Sequence, residues 1–136
     1  MWAHSGRKPD RSHWQPLSDH LHATAELAAE LAGPLGLSRT ARLAAMVHDL
    51  GKFHPDFVKR LMGLKVRIDH STAGGAVLMA GAAGHDKIVA ELIAYAVLGH
   101  HAGLPDMIND SDACVQARDA GITSCRPHGA MSCNPT

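Results

Sequence analysis

Apolar positions recur along this chain at helical spacing, and the polar residues that interrupt them gather where the helices should end. Leu17, Leu21, Thr24, Ala28 and Leu31 share one side of a helix at about 100° per residue, which predicts a helix over 17–32 stopped by Gly33-Pro34. His20 lies at the edge of that apolar face, whereas His22 falls near Glu26 on the polar side, so His20 is the inward histidine. Ser38 is a candidate N-cap for a second helix running to Leu50, with Gly51 just beyond it. Leu43 to Val47 contains no polar residue, which predicts a central, buried helix with His48 and Asp49 emerging at its end. Burying that pair without partners would cost several kcal/mol, and a metal ion would supply the missing partner.

Further along, a short helix is expected over 55–62, followed by a loop containing Lys65 and Arg67. Asp69-His70-Ser71-Thr72 then reads as a helix start, with Ala73-Gly74-Gly75-Ala76 behind it to let another helix approach closely. The clearest helix is 86–98, where Ile88, Val89, Leu92, Ile93, Ala96 and Val97 repeat. It ends at Gly99-His100-His101, so histidines again sit at a helix terminus. Beyond Met107 the pattern fades, and 121–136 is rich in Gly, Pro, Ser and Cys without periodicity. No segment alternates convincingly and no internal repeat is visible, so the expected fold class is all-α: one domain over 1–118 and an irregular tail over 119–136.

Composition adds limits. With 136 residues, 46% of them apolar, the chain can build one core but not two. No apolar run reaches the roughly 18–20 residues needed to span a bilayer. Met1 to Arg7 has no apolar signal-type stretch, so no membrane partner and a cytoplasmic location are expected. Zero net charge argues against a general nucleic-acid binder, which carries a basic face, but not against an enzyme that touches phosphates through metals. Cys114, Cys125 and Cys133 are odd in number and lack a Cys-x-x-Cys spacing, so they read as free thiols.

Eleven histidines need more explanation. A surface position accounts for His4, His13, His22, His54, His85 and His128. His20, His48, Asp49, His70 and at least one of His100 and His101 are candidate metal ligands. Imidazole nitrogen and carboxylate oxygen suit iron, manganese, cobalt, nickel and zinc alike, and the sequence does not choose among them. Asp49 is the natural bridging ligand because a carboxylate has two oxygens. Lys52, one turn on, could hold a substrate phosphate as a point charge or stand as a solvated lysine at a helix end.

Four ordered motifs resemble the HD phosphohydrolase superfamily, and more narrowly the HD nuclease domain of the type I CRISPR-associated helicase-nuclease. Trp14-Gln15-Pro16-Leu17-Ser18-Asp19-His20-Leu21 is similar to the motif that supplies that family's first histidine. His48-Asp49-Leu50-Gly51-Lys52 resembles the superfamily signature, and Asp69-His70-Ser71 and Gly99-His100-His101-Ala102-Gly103-Leu104-Pro105 resemble the next two motifs. The resemblance covers roughly residues 2–106. It implies an HD-domain helical bundle with its metal site at helix ends. It also implies a two-metal nuclease that cuts single-stranded DNA by metal-activated water attack, with Asp49 and Lys52 in catalytic roles and Lys52 and Ser71 at the substrate.

On that resemblance His20, His48 and Asp49 would hold one ion, and Asp49, His70, His100 and His101 the other. A helicase region and the CRISPR surveillance complex would be partners. The family's domain continues into a further helix that supplies another aspartate to the first ion. Asp106, Asp110, Asp112 and Asp119 are available here, but none stands in a matching motif. The competing readings are a phosphohydrolase acting on nucleotides or cyclic dinucleotides, and a truncated domain that binds metal without turnover.

Overall fold

Leucine- and alanine-rich runs between glycine and proline breaks form the frame. The computed structural model describes residues 1–7, 10–66, 68–101 and 103. Within them, α1 spans Leu17–Leu31, α2 Ser38–Val47, α3 Phe57–Leu61, α4 Thr72–Gly81 and α5 Asp86–Gly99. Single 3-10 turns lie at Gly33–Leu35 and Leu50–Phe53. The expected mostly helical fold is therefore what the chain adopts. The predicted boundary at 118, the tail, the three cysteines, His128 and the four candidate aspartates beyond α5 lie outside the described residues.

One element departs from the all-helical expectation. Trp2–His4 (β1) and Gln15–Pro16 (β2) form an antiparallel ribbon, with Trp2 opposite Pro16 and His4 opposite Gln15. Strands of three and two residues are too short to show alternation in sequence. The ribbon is nonetheless built into the fold: Ala3 is fully buried, and the Leu17 amide donates to the Met1 carbonyl at 3.1 Å.

The helices bury different faces from those that the larger apolar residues suggest. In α1 the buried stripe is Leu17, Leu21, Ala25 and Ala29, while Leu31 is 71% exposed. The stripe runs at a spacing of four, and Leu31 lies about 200° around the axis from Ala29. In α2 Ala45 and Val47 are buried but Leu43 is exposed, so this helix is covered on one side rather than all round. Ser38 is its first helical residue and makes no capping hydrogen bond; Leu37 occupies the cap position.

In α5 the buried residues are Ala90, Ile93, Ala94, Val97 and Leu98, whereas Ile88, Val89 and Leu92 face outward, Leu92 at 68% exposure. Alanines at 90 and 94 permit the close contact with α4, while Ile93, Val97 and Leu98 fill the core beside them. Helix α1 packs chiefly on α2, and α4 on α5, with α5 also touching α2.

Two core clusters result. Val47, Leu78, Ile93, Ala94, Val97 and Leu98 belong to one, and Ala3, Leu17 and Leu21 to the other. Leu50 packs against both, which anchors the turn directly after Asp49. Gly74 sets the spacing of α4 on α2: a Cβ there would stand 2.1 Å from the Val47 carbonyl oxygen. Small residues in α4 thus bring the start of that helix, and His70 just before it, up to the end of α2.

Candidate metal centre

Helix α2 is helical through His48, and Asp49 then leaves it at φ −113°, ψ 20° before the 3-10 turn begins. That change of direction sends the carboxylate inward, where Asp49 is 2% exposed. His20 reaches it from α1. His70 comes from the segment before α4, where the Asp69 carboxylate accepts hydrogen bonds from the Ser71 and Thr72 amides and hydroxyls. His100 and His101 come from the end of α5, which Gly103 closes in a left-handed conformation with its amide on the Gly99 carbonyl.

The six side chains form two overlapping groups. Asp49, His70, His100 and His101 offer one ligand atom each, all within 4.8 Å of one another, and so do His20, His48 and Asp49. The Asp49 oxygens are divided between them. Oδ2 lies 3.2 Å from His20 Nε2 and 3.1 Å from His48 Nε2, while Oδ1 faces His100 Nε2 at 3.6 Å, too far for a hydrogen bond. Oδ1 is buried and has no hydrogen-bond partner. An orphaned buried carboxylate oxygen costs stability unless a cation satisfies it.

The histidine tautomers fit the same ion. His48 Nδ1 is 2.7 Å from the Ala45 carbonyl, His100 Nδ1 bonds the Val97 carbonyl, and His70 Nδ1 faces the Ile68 carbonyl at 3.5 Å. A carbonyl can only accept, so Nδ1 carries a proton and Nε2 is the nitrogen left to offer a lone pair to an ion. This is how outer hydrogen bonds orient metal-binding imidazoles. His70 Nε2 then meets His101 Nε2 at 2.7 Å, and His20 Nε2 meets His48 Nε2 at 3.3 Å. Converging lone pairs around a buried carboxylate are the donor set that a divalent transition metal accepts.

The electrostatics agree. Burial pushes the Asp49 carboxyl up, but the surrounding His100, His48 and Lys52 groups outweigh it and hold the acid far below the usual carboxylate range. Burial lowers His4, His20, His70 and His101, keeping those rings neutral, while the hydrogen bond with Asp49 raises His48, whose Nε2 proton an arriving ion would have to displace.

These shifts set a pH dependence for the metal-free protein. The four lowered histidines contribute no penalty above their ordinary value of 6.5 and destabilise the fold as pH falls below it, because the unfolded chain takes up protons first. His48 acts in the opposite direction and offsets part of this. Asp49 adds no slope here, since its stability is lost only below its ordinary value of 3.8. Urea unfolding in a chelator is expected to show stability falling from about pH 7 to about pH 5. A flat or rising profile would contradict the arrangement of neutral rings.

Lys52 is not the solvated lysine that its place after a helix suggests. It is 5% exposed, and its Nζ donates to Asp49 Oδ2 at 2.7 Å and to the Ala3 carbonyl at 3.3 Å. Ser71 is also buried, with its hydroxyl donating to Asp69. Both line a cavity of about 510 Å3 beside His70 and His101, with Phe57, Leu61, Ile68 and Leu98 as its apolar part.

His4 is exposed, as expected of a surface residue, and it also packs edge-on against His20 with ring centroids 4.9 Å apart and lines this cavity. Arg60 lines it too. The short ribbon that carries His4 left no periodic signal, and Arg60 stands in α3, whose five residues are too few to show one. His22 is exposed, its Nδ1 on the Ser18 carbonyl, away from the cluster.

A helical domain with converging histidines around a buried His-Asp pair defines a class of metal-dependent hydrolases. The HD domain profile matches residues 17–121 of this chain, and the chain belongs to that family. The family places it in the metal-dependent phosphohydrolase superfamily, whose members bind divalent metals. Comparisons with curated proteins and with solved structures gave no match. Among the described residues, no helix is long and apolar enough to cross a membrane.

Proposed function

We propose that this chain is a metal-dependent nuclease domain that cleaves single-stranded DNA in CRISPR antiviral defence, in the cytoplasm, with a helicase region and a surveillance complex as partners. The observation that carries the hydrolytic reading is the division of the Asp49 oxygens between two sets of imidazole nitrogens. The order and wording of the four motifs support the narrower nuclease reading.

Each residue has a task on this reading. His20, His48 and Asp49 would hold one divalent ion, and Asp49, His70, His100 and His101 the other; such ions polarise the phosphoryl group and activate water. Lys52 fixes Asp49 Oδ2, so the carboxylate cannot rotate away from either set. An ammonium has three donors, and Lys52 uses two on Asp49 and Ala3. The third is assigned to a substrate phosphate entering the cavity. Ser71 orders the same wall through Asp69 and presents its hydroxyl oxygen to substrate.

The test is digestion of circular single-stranded DNA with manganese, iron, cobalt, nickel and zinc in turn, beside a cyclic dinucleotide. Cleavage of the circle with at least one metal is expected. Turnover of the cyclic dinucleotide alone would move the function to the nucleotide-directed reading. Metal binding without turnover of either would leave a non-catalytic domain.

A further inference from the structure

The cavity beside the metal cluster has two chemically different parts. His70 and His101 form the wall shared with the cluster, while Phe57, Leu61 and Ile68 provide an apolar surface that begins at His70, whose ring lies 5.6 Å from that of Phe57. Arg60 stands in the wall as a second cation, separate from Lys52. Its Nη1 touches the Ile68 carbonyl at 3.4 Å, a long contact, and the residue is otherwise exposed. Lys52, by contrast, is buried and has one donor left beyond those on Asp49 and Ala3. Among the described residues the carboxylate in this wall is Asp69, which is engaged by donors from Ser71 and Thr72.

A phosphate placed at the His70–His101 edge would therefore share the cavity with an apolar surface and with an exposed guanidinium held, among the described residues, only by the Ile68 carbonyl. A volume of about 510 Å3 lies within the range of small-molecule sites and is larger than one phosphate needs. Guanidinium groups favour phosphate because their planar fork donates two parallel hydrogen bonds.

We propose that Arg60 binds the phosphate next to the scissile one, with the intervening nucleoside over Phe57, Leu61 and Ile68. The proposal rests on the phosphodiesterase reading and narrows its substrate class to strands that carry a phosphate on both sides of a nucleoside. Arg60 would then select such strands over a minimal diester. This is a role in binding the substrate, distinct from the metal ligands.

The experiment uses the full chain and three thymidine dinucleotides: unphosphorylated, 5′-phosphorylated and 3′-phosphorylated. With the activating metal, the wild type is expected to prefer one phosphorylated form by about tenfold in kcat/KM, the effect of one partly exposed charged contact. Arg60→Gln should lose that preference while cleaving the unphosphorylated dinucleotide within about twofold of wild type, and Arg60→Lys should restore part of it. An Arg60→Gln protein that keeps the preference, or loses all three substrates equally with an unchanged circular dichroism spectrum, would overturn the proposal.

A second arm measures fluorescence anisotropy of a labelled oligothymidylate in chelator. Weaker binding by Arg60→Gln than by wild type supports the phosphate contact even if no substrate is turned over, in which case the hydrolytic reading alone fails. Equal binding overturns the contact even if hydrolysis is robust.

Discussion

Asp49→Asn is expected to empty both metal positions and abolish cleavage, whereas His22→Ala should leave metal content and activity at the wild-type level. Asparagine keeps the size of the side chain but removes the charge and one of the two oxygens. Because Asp49 belongs to both donor sets, no other ligand among the described residues has this double effect. Loss of an outer-shell partner typically costs about 10–100-fold in metal affinity, so loss of a shared ligand should exceed about a hundredfold. The folded state need not suffer equally. The amide relieves the unpartnered Oδ1 but leaves the buried Lys52 ammonium without its counter-charge, so some loss of stability accompanies the loss of metal. Metal analysis after dialysis and a single-stranded DNA assay, with circular dichroism as the folding control, decide the matter. Equal loss in Asp49→Asn and His22→Ala would show that the inward face of α1 is misassigned.

The cluster is more legible in sequence than the faces of the helices that hold it. Ligation restricts residue type severely, so His48-Asp49 at the end of an apolar run and His100-His101 beside two glycines stand out in a single chain. His20 over His22 follows from one helical wheel, and the structure puts their side chains on those two sides. The buried faces are harder to read because this protein packs alanine where others pack leucine. Ala25 and Ala29 in α1, and Ala90 and Ala94 in α5, carry little hydrophobic signal, yet they are buried. Leu31, Ile88, Val89 and Leu92 carry a strong signal, yet they face outward. A wheel weighted by side-chain size therefore finds Ile93 and Val97 on α5 but adds Ile88, Val89 and Leu92, which face outward.

Long-range partners left no trace in sequence. Ala3 accepts from Lys52 across 49 positions, and His4 meets His20 only because the ribbon folds back onto the start of α1. Lys52 shows the consequence. Its local context fits a solvated point charge, and only the tertiary structure reveals a buried cation paired with Asp49. The reading of Gly51 changes in a similar way. Placed just past a helix, it suggests a left-handed cap, but it is buried within a 3-10 turn and is not among the residues with positive φ.

Gly51→Ala is accordingly expected to be among the most destabilising single substitutions in the domain. A Cβ at this position would stand 2.3 Å from the His70 Cα and 2.6 Å from its carbonyl oxygen. Both are backbone atoms, so no rotamer change relieves the overlap, and one segment must move. Overpacking typically costs about 1–3 kcal/mol, and a backbone clash belongs at or above the top of that range. For a domain of this size that corresponds to a melting temperature lower by about 10 °C. Displacing His70 should also weaken the set it shares with Asp49, His100 and His101, so metal affinity should fall with stability. Gly81→Ala is the matched control: nothing lies within 4 Å of its Cβ, and alanine at the end of α4 should be neutral or stabilising by up to about 1 kcal/mol. Thermal unfolding in chelator and metal titration test both effects. If Gly51→Ala melted with the wild type and bound metal as tightly, the 3-10 turn could not be packed on the His70 backbone, and the coupling between the His-Asp pair and the start of α4 would be lost with it.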